Sequence, residues 1–176
     1  MEILADKVEV GILDNDAYVR VHGRATFKVG PALKQFGTLA IDQGCSRIIV
    51  EMQECVGMDS TFMGILAGLS TVIKKSNGAI VMRGLSEKNH FLLKMLGLVH
   101  LVTIEEQAPG EVPVTGRALP VSDDKRQMTQ AMIMAHEALI DAAPDNIVKF
   151  KDVLAYLKED LKRAVGQQSG ATTPSG

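Results

Sequence analysis

The sequence predicts an α/β fold: a mixed, mostly parallel β-sheet with helices packed on it, followed by a C-terminal helical hairpin. Short runs of β-branched residues alternate with single helical patterns over the first 106 residues, which is typical of parallel sheets. Two amphipathic helical patterns then follow a segment rich in proline and glycine. Hydrophobic residues make up 46% of the 176 residues, which is enough to bury a substantial core.

The first predicted elements are an antiparallel hairpin and a helix. Apolar residues alternate on both sides of the turn at residues 14–16, which predicts two strands between residues 8 and 22. Residues 23–26 are expected to form a loop. Apolar residues then recur with the helical period over residues 29–41, and Gly44 stands where a C-terminal cap belongs.

Three further strands and two helices follow in alternation. Residues 47–52 form a β-branched run between turn signals, which is typical of a strand buried on both faces. The remaining patterns predict a helix at 60–75, a strand at 79–82, a helix at 86–96 and a strand at 100–104. Connecting parallel strands through single helices requires crossovers, so only the opening hairpin is expected to be antiparallel.

The chain is expected to divide into four segments. Residues 1–106 form the α/β domain, 107–122 a linker, 123–165 the helical hairpin and 166–176 a disordered tail. Apolar stripes on the two helices need a surface to cover them, which is either the α/β domain or a second copy in a homodimer. The stripes consist of Met128, Met132, Ala135 and Leu139 on one helix and Ile147, Phe150, Leu154, Leu157 and Leu161 on the other.

Composition excludes several classes of function. The 19 basic and 21 acidic residues give a net charge of −2, which argues against a nucleic-acid-binding surface. No apolar run approaches the ~20 residues needed to span a bilayer, and the start lacks a signal-peptide pattern, so no membrane insertion is expected. Cys45 and Cys55 flank residues 46–54, which span about 30 Å when extended as a strand, so the two cysteines are too far apart for a disulfide. Free thiols predict a cytoplasmic protein.

Motifs for catalysis or metal binding are incomplete. His136-Glu137 begins as a zinc-protease helix does, but Ile140 stands where the second histidine is required, so His136 is expected on a solvated face. The sequence contains neither a phosphate-binding glycine loop nor a nucleophile elbow. We therefore predict no catalytic residue, no metal and no cofactor. The least supported alternative is an enzyme or small-ligand site at the start of the second helix.

The segment at residues 58–63 joins the buried strand to that helix and has two interpretations. Asp59 is a good N-cap, and Ser60 and Thr61 are expected in the first turn with their hydroxyls towards solvent. Capping alone explains these residue types. The alternative is that Ser60 accepts a phosphate, which carries a charge of about −1.5 to −2 and suits the positive end of a helix. Such a charge would leave the fold intact and repel a docked partner.

Residues 6–106 resemble the STAS family, and within it the bacterial anti-sigma factor antagonists. The resemblance rests on the element order, on Met58-Asp59-Ser60-Thr61 after a buried strand, and on residues 86–98 before the last strand. It implies that Ser60 is phosphorylated by an anti-sigma factor that is a serine kinase, that phosphorylation ends the binding between them, and that a phosphatase restores it. The implied partner-binding residues lie around Ser60 and in the loop after the second strand: Arg24, Thr26, Asp59, Thr61, Phe62 and Met63.

Two features depart from this family pattern. Phe62 stands where the family usually has glycine, so it either blocks the usual kinase approach or anchors a different partner. The helical hairpin lies outside the minimal domain of the family. STAS-like domains also serve as accessory subunits of transporters and sensory complexes, in which the serine need not be modified. The hairpin would then dock the domain into a larger assembly.

Overall fold

Six strands form one mixed, mostly parallel sheet in the part of the chain that the computed structural model describes, residues 5–106 and 116–169. Their order across the sheet is β5-β4-β3-β2-β1-β6. β2, β3, β4 and β5 are parallel to one another, whereas β1 is antiparallel to both β2 and β6. The strands are β1 Lys7–Leu13, β2 Asp16–Ala25, β3 Arg47–Met58, β4 Ala79–Arg83, β5 Thr103–Glu105 and β6 Arg117–Ala118. The predicted fold class is confirmed.

The predicted helices are all present. They are α1 Gly30–Asp42, α2 Ser60–Lys74, α3 Glu87–Met95, α4 Lys125–Ala142 and α5 Asn146–Ser169. Asp59, Ser86 and Asp124 are the N-caps of α2, α3 and α4, and each side chain accepts a hydrogen bond from the N–H three residues further on. Short polar side chains at these positions satisfy donors that have no partner inside the helix, which is why the helices begin there.

The core of the sheet is centred on β3. Five consecutive residues of this strand, Ile48 to Met52, are buried, so both of its faces are covered as predicted. α1 and α2 pack closely at Gly37, where an added Cβ would come within 2.4 Å of a Leu69 methyl group. Helices that approach this closely fix the position of the start of α2 relative to the sheet.

Two strand boundaries differ from the sequence-based expectation. Residues 23–25 belong to β2 rather than to a loop, because β3 continues to Met58 and pairs with them, as in the pair Ala25 and Met58. Gly23 has a φ of 73°, and the pairing register shifts on either side of it. The strand predicted at 100–104 is also shorter, because Val99–Leu101 form a 3₁₀ turn. A bulged strand with a central glycine lacks clear alternation, which hid its end in the sequence.

The segments around the hairpin differ as well. Residues 117–118 of the predicted linker form β6, and the Leu119 N–H donates to the Val8 carbonyl at 2.7 Å, so this stretch lies along the sheet edge. Residues 166–169 continue α5 instead of belonging to a disordered tail. Residues 107–115 and 170–176 of these two predicted segments lie outside the described residues. The division into separate domains stays a prediction.

The α4–α5 hairpin packs on the α/β domain. α4 lies against the start of α2, and an added Cβ at Gly64 would come within 2.3 Å of the Ala135 carbonyl oxygen. At the turn of the hairpin, the buried Asn146 side chain donates to the carbonyls of Leu96 and Leu139 at 2.9 and 2.7 Å. The expectation of intramolecular packing is confirmed for α4, whereas homodimerisation stays a prediction.

Candidate functional site

The candidate site lies where β2 and β3 end and α2 begins. Both strands run in the same direction, so the connection after β2 and the start of α2 meet at one edge of the sheet. The Asp59 N–H donates to the Ala25 carbonyl at 3.0 Å, which holds the two segments together. Ligand and partner sites of open α/β sheets commonly lie outside the carboxyl ends of the strands.

Asp59 organises this edge through both of its carboxylate oxygens. Oδ1 accepts from the Phe62 N–H at 2.9 Å, and Oδ2 accepts from the Phe27 N–H at 2.7 Å. The first bond caps α2 and the second fixes the connection between β2 and α1. The predicted N-cap is therefore confirmed, and the side chain has an additional bridging role.

Ser60 forms a side-chain hydrogen bond that the sequence did not suggest. Its Oγ lies 3.1 Å from Nε2 of His136, which belongs to α4. Nδ1 of the same ring lies 2.6 Å from the Met132 carbonyl oxygen, which can only accept. In the neutral ring Nδ1 therefore carries the proton and Nε2 accepts from the Ser60 hydroxyl. Ser60 is half-buried, and its hydroxyl points at α4 rather than towards open solvent.

The three residues after Ser60 are buried. Phe62 is 0% exposed, and Thr61 and Met63 are 3% exposed, so the expectation of an exposed helix start is wrong for them. Thr61 also faces α1, because its Cγ2 is 3.6 Å from an ideal Cβ at Gly30. The physical reason is core packing: Phe62 and Met63 belong to the hydrophobic core, and Phe62 lies on the side of α2 opposite Ser60 and Gly64, the residues that meet α4. In this conformation the three side chains offer no surface to a partner.

Arg24 and Thr26 occupy the accessible side of the site. Arg24 is exposed, and its backbone N–H donates to Asp6 Oδ1 at 2.8 Å. Thr26 caps the short turn before α1. Both residues line a groove of about 630 Å³ whose basic residues also include Lys7 and Lys28. This groove combines basic side chains with apolar ones, including the exposed Val121.

His136 is the site residue that the sequence analysis assigned to the wrong environment. It was expected on a solvated face, yet it is 4% exposed and packs edge-on against the Phe150 ring with 5.1 Å between the ring centroids. Its position offered a signal, because it lies between Met132 and Leu139 on the apolar side of α4. A polar residue there needs a buried hydrogen-bond partner, and Ser60 supplies one.

The two cysteines are free and buried, as predicted for unpaired thiols. Desolvation by burial raises the pKa of the Cys45 thiol above its ordinary value, and the Asp16 carboxylate adds to this effect. Burial likewise raises the pKa of the Cys55 thiol, whose Sγ donates to the Gly57 carbonyl oxygen at 3.3 Å. Both groups are therefore neutral thiols with little reactivity in the folded protein.

The described residues contain neither a cluster of metal-ligating side chains nor a helix suited to cross a membrane. No group of three or more His, Cys, Asp or Glu side chains within residues 5–106 and 116–169 is arranged to hold a metal ion. Over the same residues, no helix has the length and apolar character that crossing a membrane requires.

Comparisons with known proteins agree with this architecture. The family described as "Mlab, STAS domain" matches residues 8–103, more than half of the chain. The anti-sigma-B factor antagonist of Bacillus subtilis (strain 168) is 28% identical over 105 residues, which cover 60% of this chain and 95% of that protein.

Solved structures show the same fold. The crystal structure of a candidate anti-sigma factor antagonist from Thermotoga maritima, TM1081, has a TM-score of 0.51 at 17% identity, covering 57% of this chain and 86% of that one. The NMR structure of TM1081 gives the same TM-score and identity, with 56% and 79% covered. Residues 8–103, which match the family, contain β2 to β4, the start of α2 and the bond between Asp59 and Phe27 described above. The chain belongs to the STAS domain family.

Proposed function

We propose that the protein is a non-catalytic antagonist of an anti-sigma factor, and that phosphorylation of Ser60 switches its binding off. The position of Ser60 carries this proposal: it is the first residue of α2, directly after the Asp59 cap and at the sheet edge where the β2–α1 connection also lies. The similarity to an anti-sigma-B factor antagonist over 105 residues supports the general role.

The start of α2 suits a phosphorylated serine. The first N–H groups of a helix lack partners inside the helix, and the helix dipole places partial positive charge there. A phosphate on Ser60 would add a charge of about −1.5 to −2 next to the Asp59 carboxylate. The fold can accommodate that charge at a helix N-terminus, whereas a partner docked on this edge would meet two adjacent negative groups.

The modification itself is a phosphoryl transfer from ATP held by the partner kinase. The Ser60 oxygen forms a bond to the γ-phosphorus, the bond from that phosphorus to ADP breaks, and the hydroxyl proton passes to a base on the kinase. A phosphatase reverses the change by hydrolysis to serine and inorganic phosphate. The protein supplies only the acceptor hydroxyl, which agrees with a regulatory role rather than an enzymatic one.

The partner-binding surface would include the exposed Arg24 with Thr26 and Asp59. These residues surround the accessible part of the sheet edge, and the neighbouring groove adds Lys7 and Lys28. A basic groove suits an acidic segment of the partner, which is the charge pattern expected of a complementary interface. Thr61, Phe62 and Met63 are buried and lie outside this surface. We place this activity in the cytoplasm, where the free thiols would stay reduced.

Isolation of the protein from its native cells followed by phosphopeptide mass spectrometry tests the modification. We expect phosphate on Ser60. A pull-down with the wild-type protein and with Ser60→Ala should capture a kinase-like partner, and Ser60→Asp should lose it. Ser76→Asp is the matched control, because Ser76 is an exposed serine just after the other end of α2.

Two results would contradict the proposal. One is a complete absence of phosphate on Ser60 in cells in which the partner is present. The other is a binding pattern that does not depend on charge at the start of α2. Either full partner binding by Ser60→Asp, or a loss of binding in Ser76→Asp equal to that in Ser60→Asp, would show such a pattern.

A second function is favoured by the bond between Ser60 and His136. A serine hydroxyl that already has a buried partner needs no modification to be satisfied. The domain would then be an accessory subunit of a transporter or sensory complex, held through its own surface or as a homodimer through the C-terminal helices. In that case the pull-down captures the same assembly with wild type, Ser60→Ala and Ser60→Asp.

A further inference from the structure

We propose that the α4–α5 hairpin is a reversible cover over the start of α2, and that it withholds the Ser60 hydroxyl from phosphorylation until α4 moves away. This inference rests on the proposed function and adds its regulation. The cover is defined as helix α4 with α5 packed behind it, and its contact with Ser60 is the His136 side chain.

A hydrogen bond ties the Ser60 hydroxyl to the cover. The hydroxyl donates to His136 Nε2 across 3.1 Å, and the other ring nitrogen is fixed by the Met132 carbonyl. Phe150 of α5 packs against the same ring, so both helices of the cover hold it in place. The acceptor oxygen of the proposed phosphorylation is thus engaged by a side chain from the cover itself.

The cover also restricts access to the Ser60 oxygen. Phosphoryl transfer needs the γ-phosphorus about 3–3.5 Å from the attacking oxygen, with the leaving group in line behind it. His136 stands 3.1 Å from Oγ and is only 4% exposed, so the protein already occupies that direction. A kinase site that must also enclose the first turn of α2 meets α4 instead, because Ala135 lies against Gly64 one turn after Ser60.

The size of the side chains at the interface next to Ser60 affects how easily the cover opens. Close to Ser60 the helices meet through small residues, with Ala131 facing Gly30 and Ala135 facing Gly64. Small side chains bury little apolar area per residue, so separating them exposes less apolar surface than separating pairs of large aliphatic side chains. The contact next to Ser60 therefore combines tight fit with modest apolar burial, whereas the fully buried Leu139 holds the far end of α4 to the core, so opening next to Ser60 involves the part of α4 before Leu139.

Phosphorylation and opening must then be coupled in both directions. A phosphate has three oxygens and a charge of about −1.5 to −2, and it cannot occupy the 3.1 Å gap between Ser60 and His136. A change that favours the closed cover therefore disfavours phosphorylation, and a phosphate at Ser60 favours the open cover by the same free energy.

Thiol labelling of the full chain measures this opening without any kinase. Thr61→Cys places a buried thiol beside Gly30, at the point that Ala131 of α4 also reaches, and the native buried Cys45 and Cys55 report global unfolding in the same sample. The labelling rate of each thiol is followed with iodoacetamide and peptide mass spectrometry. We expect the thiol at position 61 to react at least about tenfold faster than the two native thiols, because opening of the cover costs less than global unfolding.

Variants at the contact sharpen the test. His136→Ala in the Thr61→Cys background should accelerate labelling at position 61 by about five- to tenfold, the value of one hydrogen bond, and leave Cys45 and Cys55 unchanged. If this variant unfolds, all three thiols accelerate together, and Ser60→Ala then decides by removing the same bond from the other side. Ser60→Glu should also accelerate labelling at position 61, whereas Ser76→Glu should not.

The proposal is overturned if the thiol at position 61 labels at the rate of Cys45 and Cys55, since the hairpin would then be a permanent part of the fold. It is equally overturned if neither Ser60→Ala nor Ser60→Glu changes that rate. Because no kinase takes part, these results are independent of the phosphorylation state in cells. Opening at position 61 without phosphate on Ser60 in vivo would refute the phosphorylation switch and leave the reversible cover in place.

Discussion

The carboxylate of Asp59 accepts a hydrogen bond from the backbone N–H of Phe27, 32 residues earlier in the chain, with 2.7 Å between oxygen and nitrogen. Its other oxygen caps α2 through the Phe62 N–H. One side chain therefore ties the connection after β2 to the start of α2, which are the two regions of the proposed partner surface. A carboxylate suits this position because it offers two acceptor oxygens and no donor.

Asp59→Ala should lower the free energy of unfolding by about 2 kcal/mol, because it removes a helix cap and a second backbone bond at a partly exposed site. Asp59→Asn should lose roughly half as much, since an amide has one acceptor oxygen and keeps only one of the two bonds. Urea unfolding followed by circular dichroism measures both values. An Asp59→Ala protein as stable as the wild type would show that the Phe27 bond contributes nothing.

Gly64 and Gly68 form a matched pair on α2. An added Cβ at Gly64 would come within 2.3 Å of the Ala135 carbonyl oxygen, whereas one at Gly68 would lie 3.7 Å from the Ala138 Cβ, an ordinary contact. Gly64→Ala should destabilise the protein by about 1–3 kcal/mol, because backbone atoms of α4 must shift. Gly68→Ala should stabilise it by about 0.5–1 kcal/mol through helix propensity.

Urea unfolding of both variants measures the change in the free energy of unfolding. We expect this change to have opposite signs in Gly64→Ala and Gly68→Ala. The prediction fails if the two substitutions change stability in the same direction and by the same amount. Hydrogen exchange of α4 amides provides a local measurement: only Gly64→Ala should accelerate exchange there, because only that substitution pushes against Ala135.

The sequence predicted most of the fold because its local signals agree with the tertiary structure. The buried run that ends at Met52, the cap at Asp59 and the turn at Gly44 each have one local interpretation, and the structure follows it. The boundaries that shifted depend on distant pairing. β3 extends to Met58 because β2 lies beside it, and β6 exists because the edge of β1 is free to pair with Arg117 and Ala118.

The candidate site was predicted only in part for a similar reason. Asp59 and Ser60 are neighbours in sequence, and their placement at the helix start follows from capping alone. The partnership of Ser60 with His136 depends on a helix that begins 65 residues after Ser60 and packs back onto it, and the burial of Phe62 depends on which side of α2 faces the core. Helical periodicity identifies the apolar stripe of α4, but it does not specify which surface the stripe will cover.

Asn146→Asp should destabilise the protein by about 3 kcal/mol or more at neutral pH. The native side chain is buried, and its Nδ2 donates to the carbonyls of Leu96 and Leu139, which join the turn of the hairpin to the end of α3. A carboxylate of the same shape only accepts, so it would face two carbonyl oxygens without a proton and carry an unpaired buried charge.

Val148→Ala is the control for that substitution, because Val148 is two residues away in the same helix and 79% exposed. It should change the free energy of unfolding by less than about 0.5 kcal/mol. Thermal unfolding by calorimetry compares the two. Equal melting temperatures for Asn146→Asp and the wild type would remove the argument that this side chain anchors the hairpin.

The ion pair between Lys7 and Glu9 on β1 makes part of the stability pH-dependent. A hydrogen bond from Lys7 lowers the pKa of the Glu9 carboxyl below its ordinary value of 4.5, and the charges of Lys7 and His22 add to that effect against desolvation. A carboxyl with a lowered pKa stabilises the folded state at pH above its ordinary value, and this contribution is lost as the pH falls through the lowered pKa. The stability difference between wild type and Glu9→Gln should therefore be constant at neutral pH and shrink below about pH 4.5.

An NMR titration of the Glu9 carboxyl carbon measures the pKa directly. Lys7→Met should raise it towards the ordinary value, because this substitution removes the hydrogen bond that contributes most to the shift. Lys151→Met, an exposed lysine on α5, is the matched control and should leave the Glu9 pKa unchanged. A Glu9 pKa that is the same in wild type and Lys7→Met would mean that the pair seen on β1 has no energetic effect. A wild-type Glu9 pKa at its ordinary value would remove the pH dependence as well: the advantage over Glu9→Gln would then be the same on both sides of the titration, since stability depends on pH only through the difference in bound protons between the folded and unfolded states.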